Sequence, residues 1–137
     1  KNGKLVNYDF PWGLNNNFDN DRRRGSFAYE YIGQSKSGID VLVTHDFGGG
    51  TGQLNAIMLV KRIAMSYYKL NAKKQWTSVP FTSLALLAVI PGGDRNVGSF
   101  KTVNIIGNTL TGTRYSEKNQ TNDLSHPDET FTLPLPG

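Results

Sequence analysis

The residues of this chain with side chains suited to chemistry fall into a few short groups. His45 and Asp46 are adjacent, Asp94 and Arg95 are adjacent behind Gly92-Gly93, and Arg22, Arg23 and Arg24 form the one basic run. A histidine beside a carboxylate is the raw material of general base catalysis. Here, however, the pair follows the apolar run Val41-Leu42-Val43, and neighbours in a strand point to opposite faces. The expected role of His45 is a local hydrogen bond at a strand end, with His45 and Asp46 kept as candidate ligand contacts. Asp94 and Arg95 beside a glycine turn are expected to satisfy turn amides and a neighbouring carbonyl or charge. A catalytic role for them would require a second acid or a nucleophile, and none can be placed.

Metal and covalent chemistry find little support. The chain has no cysteine and two histidines, His45 and His126. Disulfides, thiolate ligands and thiol nucleophiles are thereby excluded, and a zinc site, which needs three or four ligands, is not expected. Asp19, Asn20 and Asp21 begin a calcium-loop pattern, but arginines stand where further oxygen ligands belong. No GxSxG elbow is present. Neither a metal nor another cofactor is expected, and the chain reads as non-catalytic. Asn119-Gln120-Thr121 fits the N-glycosylation sequon.

Gly48–Gly52 reads GGGTG, entered from Val41-Leu42-Val43 and left through Leu54, Ala56, Met58 and Val60. A phosphate loop of the GxxxxGK[ST] type would place Lys and a hydroxyl after the last glycine, but Gln53 and Leu54 follow Gly52. The GxGxxG fingerprint also fails. The loop is expected to be a tight turn that serves packing.

The elements around these groups read mostly as strands. Tyr8, Phe10 and Trp12 alternate, predicting a short edge strand, and Ser26–Ile32 alternates Phe27, Tyr29 and Tyr31 with small or polar neighbours. Gly33–Gly38 is a turn by composition, joining that strand to Ile39–Thr44 as a hairpin. Leu54–Leu70 stays open: Ala56, Val60, Ile63 and Tyr67 fit a helical stripe, while Leu54–Lys61 alternates as a central strand would. Asn71–Ser78 is a polar connection carrying Trp76. Phe81–Ile90 reads as a buried strand or short helix closed by Pro91-Gly92-Gly93. Gly107-Asn108 between Phe100–Ile106 and Thr109–Tyr115 is a hairpin signal. From Ser116 the polar, proline-bearing end is expected to be coil-like.

Two family resemblances attach to these motifs. THDFGGGTGQ at 44–53, with the stretch after it, resembles the GGGTGSG phosphate loop and following helix of the tubulin family, over about a fifth of the chain. Leu54 replaces that family's next glycine, and its other nucleotide loops are missing; the resemblance implies nucleotide binding as an alternative function. The second resemblance spans more. An apolar strand, Gly49-Gly50-Thr51-Gly52, an apolar strand, Gly93-Asp94-Arg95 and a hairpin ending near Tyr115 are similar to a β-rich domain of unassigned function in small bacterial exported proteins and lipoproteins. The chain departs from it in having QSKSG where an acidic segment is common and in a longer gap between GTG and GDR. This resemblance implies a strand over Leu54–Val60 and a periplasmic or secreted location.

Composition bounds the rest. At 137 residues one domain is expected, large enough for a core without crosslinks. The net charge of +4 is mild, and the arginine run is not repeated at groove-reading spacing, so nucleic acid is not an expected partner. The longest apolar run is about half the roughly 18–20 residues of a membrane-spanning helix. The chain begins at Lys1, read either as a trimmed chain or as a mature product that has lost a targeting segment. The expected fold is mainly β, a single-domain twisted antiparallel sheet or small sandwich with at most one helix. The expected function is non-catalytic binding of an envelope protein or an anionic surface or glycan, with Arg22, Arg23 and Arg24 as a docking candidate and the oligomeric state open. The alternatives are an enzyme or nucleotide-binding protein using Gly48–Gly52, or a small enzyme inhibitor presenting Gly33–Gly38.

Overall fold

The computed structural model describes residues 6–11, 24–47, 52–120 and 122–137. Every regular element among them is a strand, as the mainly β expectation required. β1 (Val6–Pro11), β2 (Arg24–Gln34), β3 (Ile39–Phe47), β4 (Leu54–Leu70) and β5 (Trp76–Asp94) form an antiparallel meander in that spatial order. β6 (Phe100–Ile106), β7 (Thr109–Arg114) and β8 (Glu129–Pro134) form a second antiparallel sheet.

Period-two alternation builds the core between the two sheets. Ile39, Val41 and Val43 of β3 share a face with their β4 neighbours, Val41 opposite Leu59 and Val43 opposite Ile57. These residues are buried together with Leu110 of β7 and Leu135, and Ile90, Phe100, Val103, Ile105 and Phe131 pack around them. At one end the turns lock the sheets together. The Ser37 N–H donates to Asn108 Oδ1 at 2.8 Å, and the Lys36 N–H to the Gly107 carbonyl at 2.9 Å. The β6–β7 hairpin turns on Gly107-Asn108 as expected, with Gly107 at φ 62°, a conformation glycine adopts without strain.

Several elements differ from the sequence reading. Leu54–Leu70, which the sequence leaves open between helix and strand, is strand throughout. Over Leu54–Val60 it is the strand that the second resemblance implied, paired with both β3 and β5, and beyond Lys61 it pairs with β5 alone. Phe81–Ile90 is strand but largely exposed: β5 is an edge strand, and Phe81, Leu84, Leu86, Leu87 and Val89 stay open to solvent. The connection expected at Asn71–Ser78 is shorter, since β5 already begins at Trp76; the Asn71 side-chain oxygen accepts the N–H groups of Lys73 and Gln75, each at 2.9 Å. The end expected to be coil-like contains β8, which pairs along β7 from Thr109↔Pro134 to Arg114↔Glu129 and brings Phe131 to the core.

The β4–β5 hairpin outruns the rest of its sheet. β3 pairs with β4 only as far as Ile39↔Lys61, whereas β4 and β5 remain paired to Leu70↔Trp76. Arg62–Leu70 and Trp76–Leu84 therefore form a two-stranded arm.

Candidate functional site

At the end of the sandwich away from the Gly107-Asn108 turn, the ends of β3 and β5 and the start of β4 enclose an open groove of about 510 Å³. His45, Asp46, Gln53, Asn55, Arg95 and Phe100 are among its lining residues. Its floor is tied across the two sheets by Asn55, which is buried. The Asn55 amide donates to the Phe100 carbonyl at 3.1 Å, and its oxygen accepts the Phe100 N–H at 3.2 Å. One side chain thus reproduces a ladder pair where no strand is available.

The Gly93-Asp94-Arg95 motif forms one wall. The Asp94 carboxylate accepts the Gln53 N–H at 2.7 Å, the Arg95 N–H donates to the Gln53 carbonyl at 3.0 Å, and the Val97 N–H to the Asp94 carbonyl at 2.9 Å. Asp94 therefore satisfies a backbone amide, as the sequence implied. Its glycine neighbour answers to close approach: a Cβ on Gly93 would lie 1.6 Å from the Val97 carbonyl oxygen. Arg95 itself takes φ 51°, a left-handed conformation uncommon for a residue with a Cβ, and its side chain reaches the groove. The Arg95 Nε stands 3.7 Å from the Asp94 carboxylate.

His45 and Asp46 both line the groove and are exposed. Their alternation in β3 sends them to opposite faces: His45 pairs opposite Asn55, and Asp46 opposite Leu54. The groove thus brings three of the residues singled out by sequence, His45, Asp46 and Arg95, into one lining. Gly52 lies just before β4, and Arg24 opens β2. Arg22, Arg23, Gly48, Gly49, Gly50 and Thr51 lie outside the described residues, and with them the expectation of a tight turn at Gly48–Gly52. His126 sits on the exposed segment before β8, its N–H donating to Asn119 Oδ1 at 3.1 Å. Among the described residues no three or more His, Asp or Glu gather as a metal-binding group.

Two features escaped the sequence reading. The first is a polar cluster at the root of the arm. Asp40, whose side chain is 4% exposed, receives Arg62 through both oxygens, at 2.8 and 3.0 Å, and also the Tyr31 O–H at 2.8 Å. Burial, and after it the hydrogen bond to the Asp40 carboxylate, pushes the Tyr31 phenol above its ordinary value. The second feature is the arm. Ile63 faces Ser83, Met65 faces Phe81 and Tyr67 faces Val79 across its ladder, and directly opposed residues share a face. Ile63, Met65, Tyr67 and Phe81 are all exposed; the Tyr67 and Phe81 rings lie 5.8 Å apart, tilted by 57°. The other face carries the pairs Ala64 with Thr82 and Ser66 with Pro80 along its middle, with Leu84 beside Arg62 at the root and Tyr68, Leu70 and Trp76 exposed toward the tip. The sequence reading carries alternation only through Leu54–Lys61, and only the register shows that neither face of the arm is covered.

Among the described residues no helix is long and apolar enough to cross a membrane. A scan against family models finds no match to the chain, and searches of curated proteins and of solved structures likewise find none.

Proposed function

We propose that this chain is a non-catalytic binding domain of the bacterial cell envelope, exported to the periplasm or beyond, and that it takes hold of its partner through the β4–β5 arm. The observation that carries this reading is the uncovered apolar face of Ile63, Met65, Tyr67 and Phe81. On β4 that face continues the one that buries Ile57 and Leu59 in the body. A two-stranded ribbon is at best marginally stable alone in water and gains stability when its apolar face is covered. A contiguous exposed apolar surface of this kind marks an interaction site. The exported location rests on the resemblance carried by Gly49-Gly50-Thr51-Gly52 and Gly93-Asp94-Arg95.

The test compares the full chain with an arm-shortened variant in which a two-residue Asn-Gly turn joins Arg62 to Leu84, so that Arg62 keeps its pairing with Asp40. Both are cosedimented with an envelope fraction containing membranes and their proteins. The parent is expected to cosediment and the shortened chain to stay in solution. Equal cosedimentation of the two removes the arm as the docking element.

A further inference from the structure

Resting on the reading of the arm as a docking element, we infer that its occupant is an anionic lipid surface, on which the arm lies flat. Charge is the first argument. From Phe47 to Gly93 the chain has no Asp or Glu, while Lys61, Arg62, Lys69, Lys73 and Lys74 are all cationic. Arg62 is committed to Asp40 in the body. The lysines that remain stand at the two ends of the arm. Lys61 is at the root, Lys69 near the tip, and Lys73 and Lys74 in the turn between β4 and β5.

Their placement relative to the apolar face discriminates among partners. Along that face Ile63, Met65, Tyr67, Val79 and Phe81 form an uncharged band, bounded by the pair Lys61↔Ala85 at one end and Lys69↔Thr77 at the other. A nucleic-acid ribbon would need cations along its length to meet successive phosphates, and this band has none. A second copy of the arm laid face to face would bring lysines against lysines, with no acid in either arm to relieve them. A bilayer of anionic lipid meets both demands at once: its headgroups take the lysines, and the acyl boundary takes the band between them. Lysine stems can lie along apolar surface while their ammonium groups reach the headgroups.

Aromatic placement on the band agrees: the Tyr67 and Phe81 rings lie on it, and the amphipathic Tyr67 ring suits the level of the headgroups, while Tyr68 and Trp76 belong to the opposite face. The geometry also limits depth. The ribbon has two open strand edges, whose unpaired N–H and C=O groups exclude it from spanning hydrocarbon as a single hairpin. It therefore rests in the interface with the opposite face turned to water, Ala64, Ser66 and Thr82 along its length and Tyr68, Ser78 and Trp76 toward the tip.

The experiment uses the full chain and protein-free vesicles of phosphatidylcholine, with or without phosphatidylglycerol, in low and high salt. A Trp12→Phe, Trp76→Phe background with Tyr67→Trp places a single fluorescent reporter on the band. The expected result is binding to the phosphatidylglycerol vesicles alone, with a blue shift of the reporter's emission and loss of binding in high salt. Replacing Lys69, Lys73 and Lys74 by Gln is expected to weaken partitioning on the order of a hundredfold. Met65→Ser with Phe81→Ser is expected to abolish the blue shift with unchanged melting, since both side chains are exposed. Three results overturn the inference: equal binding to both vesicle types, no effect of the lysine replacements, or an arm-dependent dimer in sedimentation velocity that binds no vesicle. If the parent needs its arm to bind the envelope fraction yet ignores protein-free vesicles, the lipid falls and docking through the arm stands. If the arm-shortened chain binds the envelope fraction as well as the parent, both fall.

Discussion

At the scale of single residues, hydrogen-bond satisfaction explains most of what is conspicuous in the groove. Asn55 sits where an apolar residue would continue the inward series of Ile57 and Leu59. Asn55→Ala strands the N–H and carbonyl of Phe100 between the sheets, and a loss of about 1–3 kcal/mol is expected, read as a lower urea midpoint at unchanged m-value. Asp94→Ala removes the acceptor of one exposed hydrogen bond, from the Gln53 N–H, so a cost at the low end, about 1 kcal/mol, is expected in the melting curve. Lost ligand binding at unchanged melting would instead give Asp94 a functional role. Calorimetric titration with GTP or ATP and magnesium is expected to show no heat, because no Lys-Ser/Thr pair follows Gly52. Tyr31 adds a pH dependence. Its folded value lies above the ordinary value near 10, so its stabilising contribution is complete below about pH 10 and is lost as pH rises through the folded value. Relative to the parent, Tyr31→Phe is expected to lose less melting temperature as pH is raised past 10. Parallel curves would refute that linkage.

At the scale of elements, the legible features were those set by local chemistry. The alternation in β2, the composition of Gly33–Gly38 and the Gly107-Asn108 turn each specify their hairpins within a few residues, and each hairpin is present, the first with its turn confined to Ser35–Gly38. β4 was harder, because Ala56, Val60, Ile63 and Tyr67 satisfy a helical period as well as a pleated one; only pairing with β3 and β5 decides between them. The exposure of β5 was not legible at all. An apolar run such as Leu84–Ile90 reads as buried unless its neighbours are known, and here β5 stands at an edge. The groove shows the same division. His45, Asp46 and Arg95 were chosen by residue type, but their convergence follows from the meander returning β5 to the end where β3 stops. Because the buried core draws nothing from Ile63–Ser83 and Arg62 is kept to pair with Asp40, the arm-shortened chain is expected to melt cooperatively within a few degrees of the parent. A collapse of its melting transition would mean that the arm is part of the folding unit.

At the scale of the whole molecule, the order of the strands makes the last residues structurally decisive. The five-stranded sheet is local in sequence, but its inner face must be covered by β6, β7 and β8, and Leu135 contributes to the same core as Ile57 and Val41. Polarity and prolines hid this, since Glu129–Pro134 contains only two large apolar residues, Phe131 and Leu133. Phe131 meets Phe100 edge-on, with ring centroids 5.3 Å apart. Glu129 accepts Arg114 Nε at 3.0 Å and the Ser116 hydroxyl at 3.1 Å. Removing 129–137 would therefore open the core at Leu135, expose β7 as an unpaired edge and leave Arg114 with Glu117 as its remaining carboxylate among the described residues. Loss of a buried Leu and a partly buried Phe each costs about 2–5 kcal/mol, comparable in sum to the 5–15 kcal/mol that holds a domain of this size together. The chain cut after Asp128 is expected to lose its near-ultraviolet circular dichroism and its cooperative melt. A sharp transition within a few degrees of the parent would show that β8 only decorates the sandwich.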